Sequence, residues 1–127
     1  MAWTRMPVAV VVLAVLGVAL SVPAGGRVTA GVAAAEQGVA ERALLDNERL
    51  MMIEFVFPAG FRGEEHAAVA DELAYVLDGE FAVVTKGKGK RVVRKGEVEY
   101  ASKGTVHYSL NETKRPARVL VVLLKER

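Results

Sequence analysis

GFRGEEHAAVADELAYVLDG (residues 60–79) and GEVEYASKGTVHYSLN (residues 96–111) are the two stretches that decide the fold of this chain. The first begins and ends with glycine and carries His66 and Glu72 between them. The second also begins with glycine and carries His107 before its closing residue, Asn111. A single glycine or histidine means little, but this joint spacing is hard to obtain by chance. The two stretches therefore indicate the two parts of one site architecture.

These stretches resemble the paired motifs of the cupin family, G-x5-H-x-H-x3/4-E-x6-G and G-x5-P-x-G-x2-H-x3-N. The resemblance covers most of the chain after residue 48. It implies an all-β fold, the cupin-type double-stranded β-helix, which is a jelly-roll barrel. Two positions depart from the family pattern: Ala68 stands where the second histidine is expected, and Ser102 stands where proline is usual.

The resemblance also implies a metal site, and the residues that match its ligands are His66, Glu72 and His107. Two imidazoles and one carboxylate suit catalytic zinc and equally the facial triad of non-haem iron(II). The implied cofactor is a divalent transition metal: Fe, Mn, Ni, Cu or Zn. Because Ala68 removes one ligand, the site is expected to have more open coordination positions and weaker binding. Glu64 has the same strand parity as His66 and is a candidate replacement ligand.

An alternative without metal remains open for the acidic residue of this set. An inward carboxylate in a small barrel costs several kcal/mol unless it is paired or bound to metal. A salt bridge from Glu72 to protonated His66 or His107 would also satisfy it. The sequence favours the metal over the neutralised pair.

Small and aromatic residues near the motifs predict a ligand cavity. Phe61 lies beside the entrance loop, and inward-facing Ala68, Ala74 and Ser109 would leave space near the metal. The same small residues also fit the taper of a narrow barrel. We expect a pocket for a small-molecule ligand.

The N-terminal segment has the pattern of a secretory signal. Arg5 is the only charge before the uncharged run of residues 6–26, and small residues follow it. We assign residues 1–35 to a signal peptide and its cleavage region, which predicts a periplasmic or secreted protein. An uncleaved membrane anchor is the alternative, and only a retained N-terminal segment would bring the chain to a membrane. Cleavage after Ala35 removes two of the 17 basic residues and none of the 15 acidic ones, so the mature chain would be neutral. A nucleic-acid partner is therefore not expected.

Short apolar segments after this region support the all-β expectation. Residues 36–47 are assigned to a flexible arm with a short helix at 39–45, and residues 48–127 to the barrel domain. Many short strands at close, even spacing favour an antiparallel sandwich or barrel. The predicted strands lie at residues 48–57, 73–77, 81–85, 91–94, 98–101, 106–110 and 117–124.

Strand alternation predicts which faces of these strands are apolar. If Glu72 points inward, Leu73, Tyr75 and Leu77 face outward, and inward His107 leaves Val106, Tyr108 and Leu110 outside. Outer faces this apolar suggest a homodimer packed sheet to sheet. Cover by the N-terminal arm or a neighbouring strand is the alternative.

The motifs and the composition leave two classes of function. The resemblance implies a metal-dependent enzyme, such as a dioxygenase or isomerase that acts on a small organic substrate. The alternative is a non-catalytic module that binds a small ligand or a partner protein, with assembly as a further role. The sequence identifies no catalytic residue, and Glu64 is the only candidate for a general base.

Overall fold

The computed structural model describes residues 38–126, and these fold into an all-β structure of nine strands. The predicted signal segment lies outside the described residues. Within residues 38–126, no helix is long and apolar enough to cross a membrane. In chain order the strands are β1 (Ala40–Asp46), β2 (Leu50–Phe57), β3 (His66–Ala67), β4 (Asp71–Asp78), β5 (Glu80–Thr85), β6 (Gly89–Arg94), β7 (Val98–Ala101), β8 (Val106–Leu110) and β9 (Ala117–Leu124).

The strands form two antiparallel sheets that face each other. The five-stranded sheet has the order β1-β2-β9-β4-β7, and the four-stranded sheet has the order β3-β8-β5-β6. Consecutive strands β4 and β5 therefore lie in different sheets, as do β6 and β7. This exchange between layers is what builds a jelly roll from one chain. The expected all-β jelly-roll fold is confirmed.

All seven predicted strands are present, with bounds that differ by a few residues from those expected. Short apolar runs bounded by turn residues explain why the prediction succeeded, and in the structure β2 and β9 bury every second side chain, as strands with one face on a core do. The two strands that the sequence did not predict are β1 and β3. The second of these has only two residues, too few to show a period.

The short helix expected at residues 39–45 is wrong, because this segment is strand β1. Its alanines, leucines and glutamate favour a helix locally. A tight turn overrides that preference: the Asn47 side chain accepts hydrogen bonds from the backbone N–H groups of Arg49 and Leu50. The turn folds β1 back along β2, with Glu41 opposite Phe55 and Asp46 opposite Met51. Pairing with an existing strand satisfies the backbone of β1.

The core lies between the two sheets and is centred on stacked aromatic rings. The ring centroid of Phe57 lies 5.7 Å from that of Phe55, 4.9 Å from that of Phe61 and 6.0 Å from that of Phe81. Apolar residues of β4, β6 and β9 complete the cluster, among them Val76, Val93, Val119, Val121 and Leu123. The aromatic cluster fills one part of the interior and leaves the part near the two histidines to polar side chains.

Asn111 closes the second motif as a fully buried turn residue. Its side-chain Nδ2 donates to the backbone carbonyls of Phe57 and Arg115, and its Oδ1 accepts from the N–H and hydroxyl of Thr113. These four hydrogen bonds satisfy both the N–H donors and the oxygen acceptor of the Asn111 side-chain amide with groups of the protein itself. The side chain thereby ties the end of β8 to the end of β2.

The outer face of the five-stranded sheet is apolar, as the alternation predicted. Tyr75 and Tyr100 are 43% and 53% exposed. Strand register places Tyr100, Leu73, Val122 and Met52 in one row across four neighbouring strands. On the other sheet, Leu110 differs from expectation, since it is buried rather than exposed.

The burial of Leu110 has a local cause. The segment of residues 60–63 runs alongside the end of β8, where Arg62 forms a bridge with Leu110. The N–H of Gly63 donates to the carbonyl of Ser109, which fixes this segment against the strand. The Arg62 guanidinium in turn lies over the Tyr108 ring, 4.8 Å from its centroid.

Candidate functional site

The two histidines are brought together by strand pairing. His66 on β3 is the direct register partner of His107 on β8, although 41 positions separate them in the sequence. Side chains of directly paired residues project from the same face of a sheet. Their ring centroids are 4.8 Å apart. The antiparallel pairing of β3 with β8 therefore creates the histidine pair.

Glu72 approaches this pair from the opposite sheet. It lies on β4, where its register partners are Ala101 and Leu123. Its Oε1 is 3.2 Å from Nε2 of His107, and both residues are buried. This contact does not have hydrogen-bonding geometry, because Nε2 of His107 has no hydrogen-bond partner. The structure thus brings together the three side chains that the two motifs single out.

Unsatisfied polar atoms are concentrated at this one place. Among residues 38–126, the buried side-chain nitrogen and oxygen atoms without a hydrogen-bond partner are His66 Nε2, Glu72 Oε2, His107 Nδ1 and His107 Nε2. A buried polar group without a partner costs about 1–3 kcal/mol. Because one ring nitrogen of a neutral imidazole carries a proton, His107 offers one lone pair, and His66, Glu72 and His107 together form a set of three groups that can donate electron pairs to a bound group.

The orientation of His66 is fixed by the chain beside it. Its Nδ1 is 3.0 Å from the backbone carbonyl of Glu64. Because a carbonyl can only accept, this contact assigns the proton to Nδ1 and leaves the lone pair on Nε2. A backbone carbonyl that fixes the tautomer in this way is a common partner of metal-binding histidines.

Burial favours the neutral form of each of these groups. It raises the pKa of Glu72 to about 7, with a smaller contribution from the negative charge of Glu99. Burial lowers the pKa of His107 to about 4, and His66 adds to that effect. The pKa of His66 is also lowered, again by burial. These directions disfavour a salt bridge between ionised Glu72 and a protonated histidine, the alternative that the sequence left open.

A cavity opens between the sheets beside these residues. Its polar lining consists of Glu72, Glu99, His107 and Ser109. The rest is apolar and includes Ala74, Ala101 and side chains of the aromatic and aliphatic core, namely Phe57, Phe81, Val83, Val119 and Val121. The volume of this cavity is about 20 Å³, so its few convergent polar groups and apolar walls suit only a ligand of a few atoms.

The sequence-predicted pocket residues fall into two groups. Ala74 and Ser109 line the cavity. Phe61 and Ala68 are buried but lie outside this lining: Phe61 stacks on Phe57, and Ala68 exchanges backbone hydrogen bonds with the loop of residues 104–105. Glu64, the candidate replacement ligand, is exposed and contacts His66 through its backbone carbonyl.

Glu99 is the cavity residue that the sequence did not predict. It lies on β7 directly opposite Ala74 of β4, and its side chain is bonded to the guanidinium of Arg91. The sequence did contain an indication of its position. Glu99 and Ala101 are two residues apart on β7 and therefore project from the same face, and Ala101 pairs with Glu72. Recognising it required knowing that β7 pairs with β4, which the sequence did not reveal.

The donor set fits a metal ion in chemistry and in part in geometry. Two donors that each lie about 2.1 Å from one ion are about 3.0–3.4 Å apart, and the Glu72–His107 contact falls in that range. In the part of the chain that the structure describes, no group of three such side chains is already arranged to hold an ion. The three side chains would therefore have to move closer together for all of them to share one ion.

Comparison with known proteins places the chain in a family. Residues 53–123, more than half of the chain, match the family model described as a cupin domain. No curated protein matches the chain. Solved structures with the same fold include a cupin superfamily protein from Desulfitobacterium hafniense, which is 22% identical with a TM-score of 0.62, over 69% of this chain and 78% of that one.

Two further structures are similar. KdgF from Halomonas sp. is 24% identical with a TM-score of 0.64, over 71% of this chain and 81% of that one. A cupin 2 conserved barrel domain protein from Leptotrichia buccalis is 28% identical with a TM-score of 0.61, over 68% of this chain and 41% of that one. The first two likenesses, below 25% identity, are evidence of the fold alone.

Proposed function

Because the chain belongs to the cupin family, we propose that it is a small metal-dependent protein whose cavity holds a divalent transition metal on His66, Glu72 and His107. One observation carries this proposal. Among the described residues, every buried side-chain nitrogen or oxygen without a hydrogen-bond partner belongs to these three residues. A bound cation would satisfy those electron pairs, which the fold itself leaves unpaired.

The side chains around this site suit a small organic substrate. Such an ion would supply Lewis acidity, or redox activity if it is iron, manganese or copper. The apolar walls of the cavity exclude water, and Ser109 and Glu99 offer polar contacts beside the ligands. A dioxygenase or an isomerase is the enzyme class that we propose. Capture of a small ligand without catalysis is the second candidate, favoured by the alanine at position 68 and by the absence of an assigned general base.

Metal content tests the proposal most directly. Protein purified without added metal should contain close to one equivalent of iron, manganese, nickel, copper or zinc by elemental analysis. His107→Ala should lose most of it, whereas Ser109→Ala, which changes a cavity residue that is not a proposed ligand, should retain it. Circular dichroism would verify that both variants are folded. Wild-type protein without metal, even after reconstitution with each ion, would remove the proposal.

A homodimer is proposed from the outer face of the five-stranded sheet. Its row of Tyr100, Leu73, Val122 and Met52, together with exposed Tyr75, offers a continuous apolar surface to a second copy. Sedimentation should give a dimer for the domain, and Tyr75→Glu with Tyr100→Glu should shift it to monomer. Lys88→Glu, a charge change in the β5–β6 turn, serves as the control. A monomeric wild-type domain would contradict the assignment.

Export is proposed from the sequence of residues 1–35. The charged start and the uncharged run that follows it support cleavage and a periplasmic or secreted location. Mass spectrometry of the protein expressed from its full sequence should find a chain that begins after a small residue between positions 24 and 35. An intact N-terminus in the membrane fraction would favour the anchor instead.

A further inference from the structure

The Arg91–Glu99 pair joins the two sheets on their inner faces. Arg91 on β6 is the register partner of Val83, and Glu99 on β7 is the register partner of Ala74. Both partners line the cavity, so the two charged side chains also start from cavity-facing positions. Nη1 of Arg91 donates to Oε2 of Glu99. The pair therefore spans the gap between β6 and β7 beside the proposed metal ligands.

The two members of this pair are not equivalent. The Glu99 side chain is 15% exposed and lines the cavity, whereas the Arg91 side chain is 55% exposed and is not part of the lining. The guanidinium thus lies towards the solvent and the carboxylate towards the interior. The hydrogen bond from Arg91 holds the Glu99 carboxylate in one orientation. What the cavity presents to a ligand is the carboxylate.

A carboxylate can only accept hydrogen bonds, and this one has a second acceptor beside it. Glu72 lines the same cavity, is 8% exposed, and has an Oε2 without a hydrogen-bond partner. A ligand group placed against Glu99 must bring a donor. A ligand carboxylate would meet the like charge of Glu99, an arrangement that costs several kcal/mol.

We propose that Glu99, positioned by Arg91, is a ligand-binding residue that selects a small molecule with a hydroxyl group next to an apolar part, and disfavours carboxylates. The hydroxyl hydrogen is donated to Glu99. The apolar part packs against the opposite wall, where Phe57, Phe81 and Val121 lie. This inference rests on the proposed function in one respect: it takes the cavity to be the site where a ligand is bound.

The test uses matched alcohols and carboxylates. The full-length folded protein, treated with chelator at pH 8, is titrated with ethanol and acetate and with 1-propanol and propionate, which are small enough for this cavity, and amide shifts are followed by NMR. The alcohol of at least one pair should bind at least about tenfold more tightly than its carboxylate, as expected for a donor to a charged acceptor. Shifts should appear at the amides of the cavity strands, including Glu99 and Ala74.

Two variants decide whether Glu99 is responsible. Glu99→Gln should reduce the alcohol-to-carboxylate ratio of affinities at least threefold. Glu54→Gln is the matched control, because the Glu54 side chain is also 15% exposed and also contacts an arginine, Arg118, but on the outer face of the same sheet. The alcohol-to-carboxylate ratio of affinities in Glu54→Gln should equal that of the wild type.

Three outcomes would overturn the inference. They are equal or tighter binding of the carboxylates to the wild type, no cavity shift with any alcohol, and a ratio in Glu99→Gln that equals that of Glu54→Gln. If Glu99→Gln does not fold, the wild-type ratio still decides between alcohol and carboxylate. Because the titrations use protein without metal, failure of the metal proposal is detected separately by elemental analysis.

Discussion

Glu72 Oε1 and His107 Nε2 lie 3.2 Å apart although they belong to different sheets, β4 of the five-stranded sheet and β8 of the four-stranded sheet. Burial favours the neutral form of each. The contact is therefore one between two neutral groups rather than an ion pair. It is the point where the two layers of the barrel and the two motifs of the sequence converge.

The raised pKa of Glu72 predicts a pH dependence of stability in metal-free protein. Below about pH 4.5, Glu72 is protonated in both the folded and the unfolded state and contributes nothing. Between there and about pH 7, the unfolded state loses the proton that the folded state keeps, so stability falls as pH rises. Wild type should lose up to about 3 kcal/mol relative to Glu72→Gln between pH 4.5 and 8. Urea unfolding at both pH values measures this.

Comparison with the glutamine variant is needed because His107 acts in the opposite direction. Its lowered pKa destabilises the fold at low pH, and that cost disappears as pH rises towards 6.5. The difference between wild type and Glu72→Gln removes this contribution. A difference that stays constant from pH 4.5 to 8 would contradict the raised pKa of Glu72.

Restoring the missing histidine should strengthen metal binding. Ala68 is buried and has the strand parity of His66, so Ala68→His would add an imidazole on the side of the proposed ligands. We expect the Kd for zinc to fall at least about tenfold, measured by competition with a chelator. Ala67→His is the control, since Ala67 is exposed and has the opposite parity. Equal affinities of the two variants would show that position 68 does not face the site.

Gly79, the last residue of the first motif, should not tolerate a side chain. Its φ is +74°, and a Cβ there would lie 2.5 Å from the backbone oxygen of Pro116. Gly79→Ala should lower the free energy of unfolding by about 2–3 kcal/mol through backbone strain and displacement of that loop. Gly87→Ala has a similar φ of +81° but an open surrounding, and should cost only about 1 kcal/mol. Equal losses in denaturant unfolding would mean that the contact with Pro116 is unimportant.

Removal of the Asn111 side chain should destabilise the barrel strongly. Asn111→Ala leaves the carbonyls of Phe57 and Arg115 and the N–H of Thr113 without their partner, partly out of contact with water. We expect a loss of about 3 kcal/mol or more. Asn47→Ala removes a side chain that caps an exposed turn and should cost about 1 kcal/mol. A small loss at position 111, similar to that at 47, would show that water replaces the buried bonds.

Much of the fold was predictable because its strands are short apolar runs separated by turn residues. Strands β2 and β9 are such runs of eight residues, and the motif glycines mark where the chain turns. The segment of β1 was mistaken for a helix because its local preference conflicts with its pairing. Leu110 was predicted to be exposed because strand alternation shows only on which face of a sheet a side chain lies. It does not show that another segment, here residues 60–63, covers that face.

The sequence by itself determined the strand pattern, because short apolar runs between turn residues are a local property, and its resemblance to the paired cupin motifs identified the three candidate ligands. Only the tertiary structure decided that His66 pairs with His107, that Glu72 meets them from the other sheet, and that Glu99 enters the cavity with Arg91 behind it. These relations depend on which strands pair and in which register. Such pairings bring together residues far apart in the chain, and their stability comes from the packing of the whole barrel.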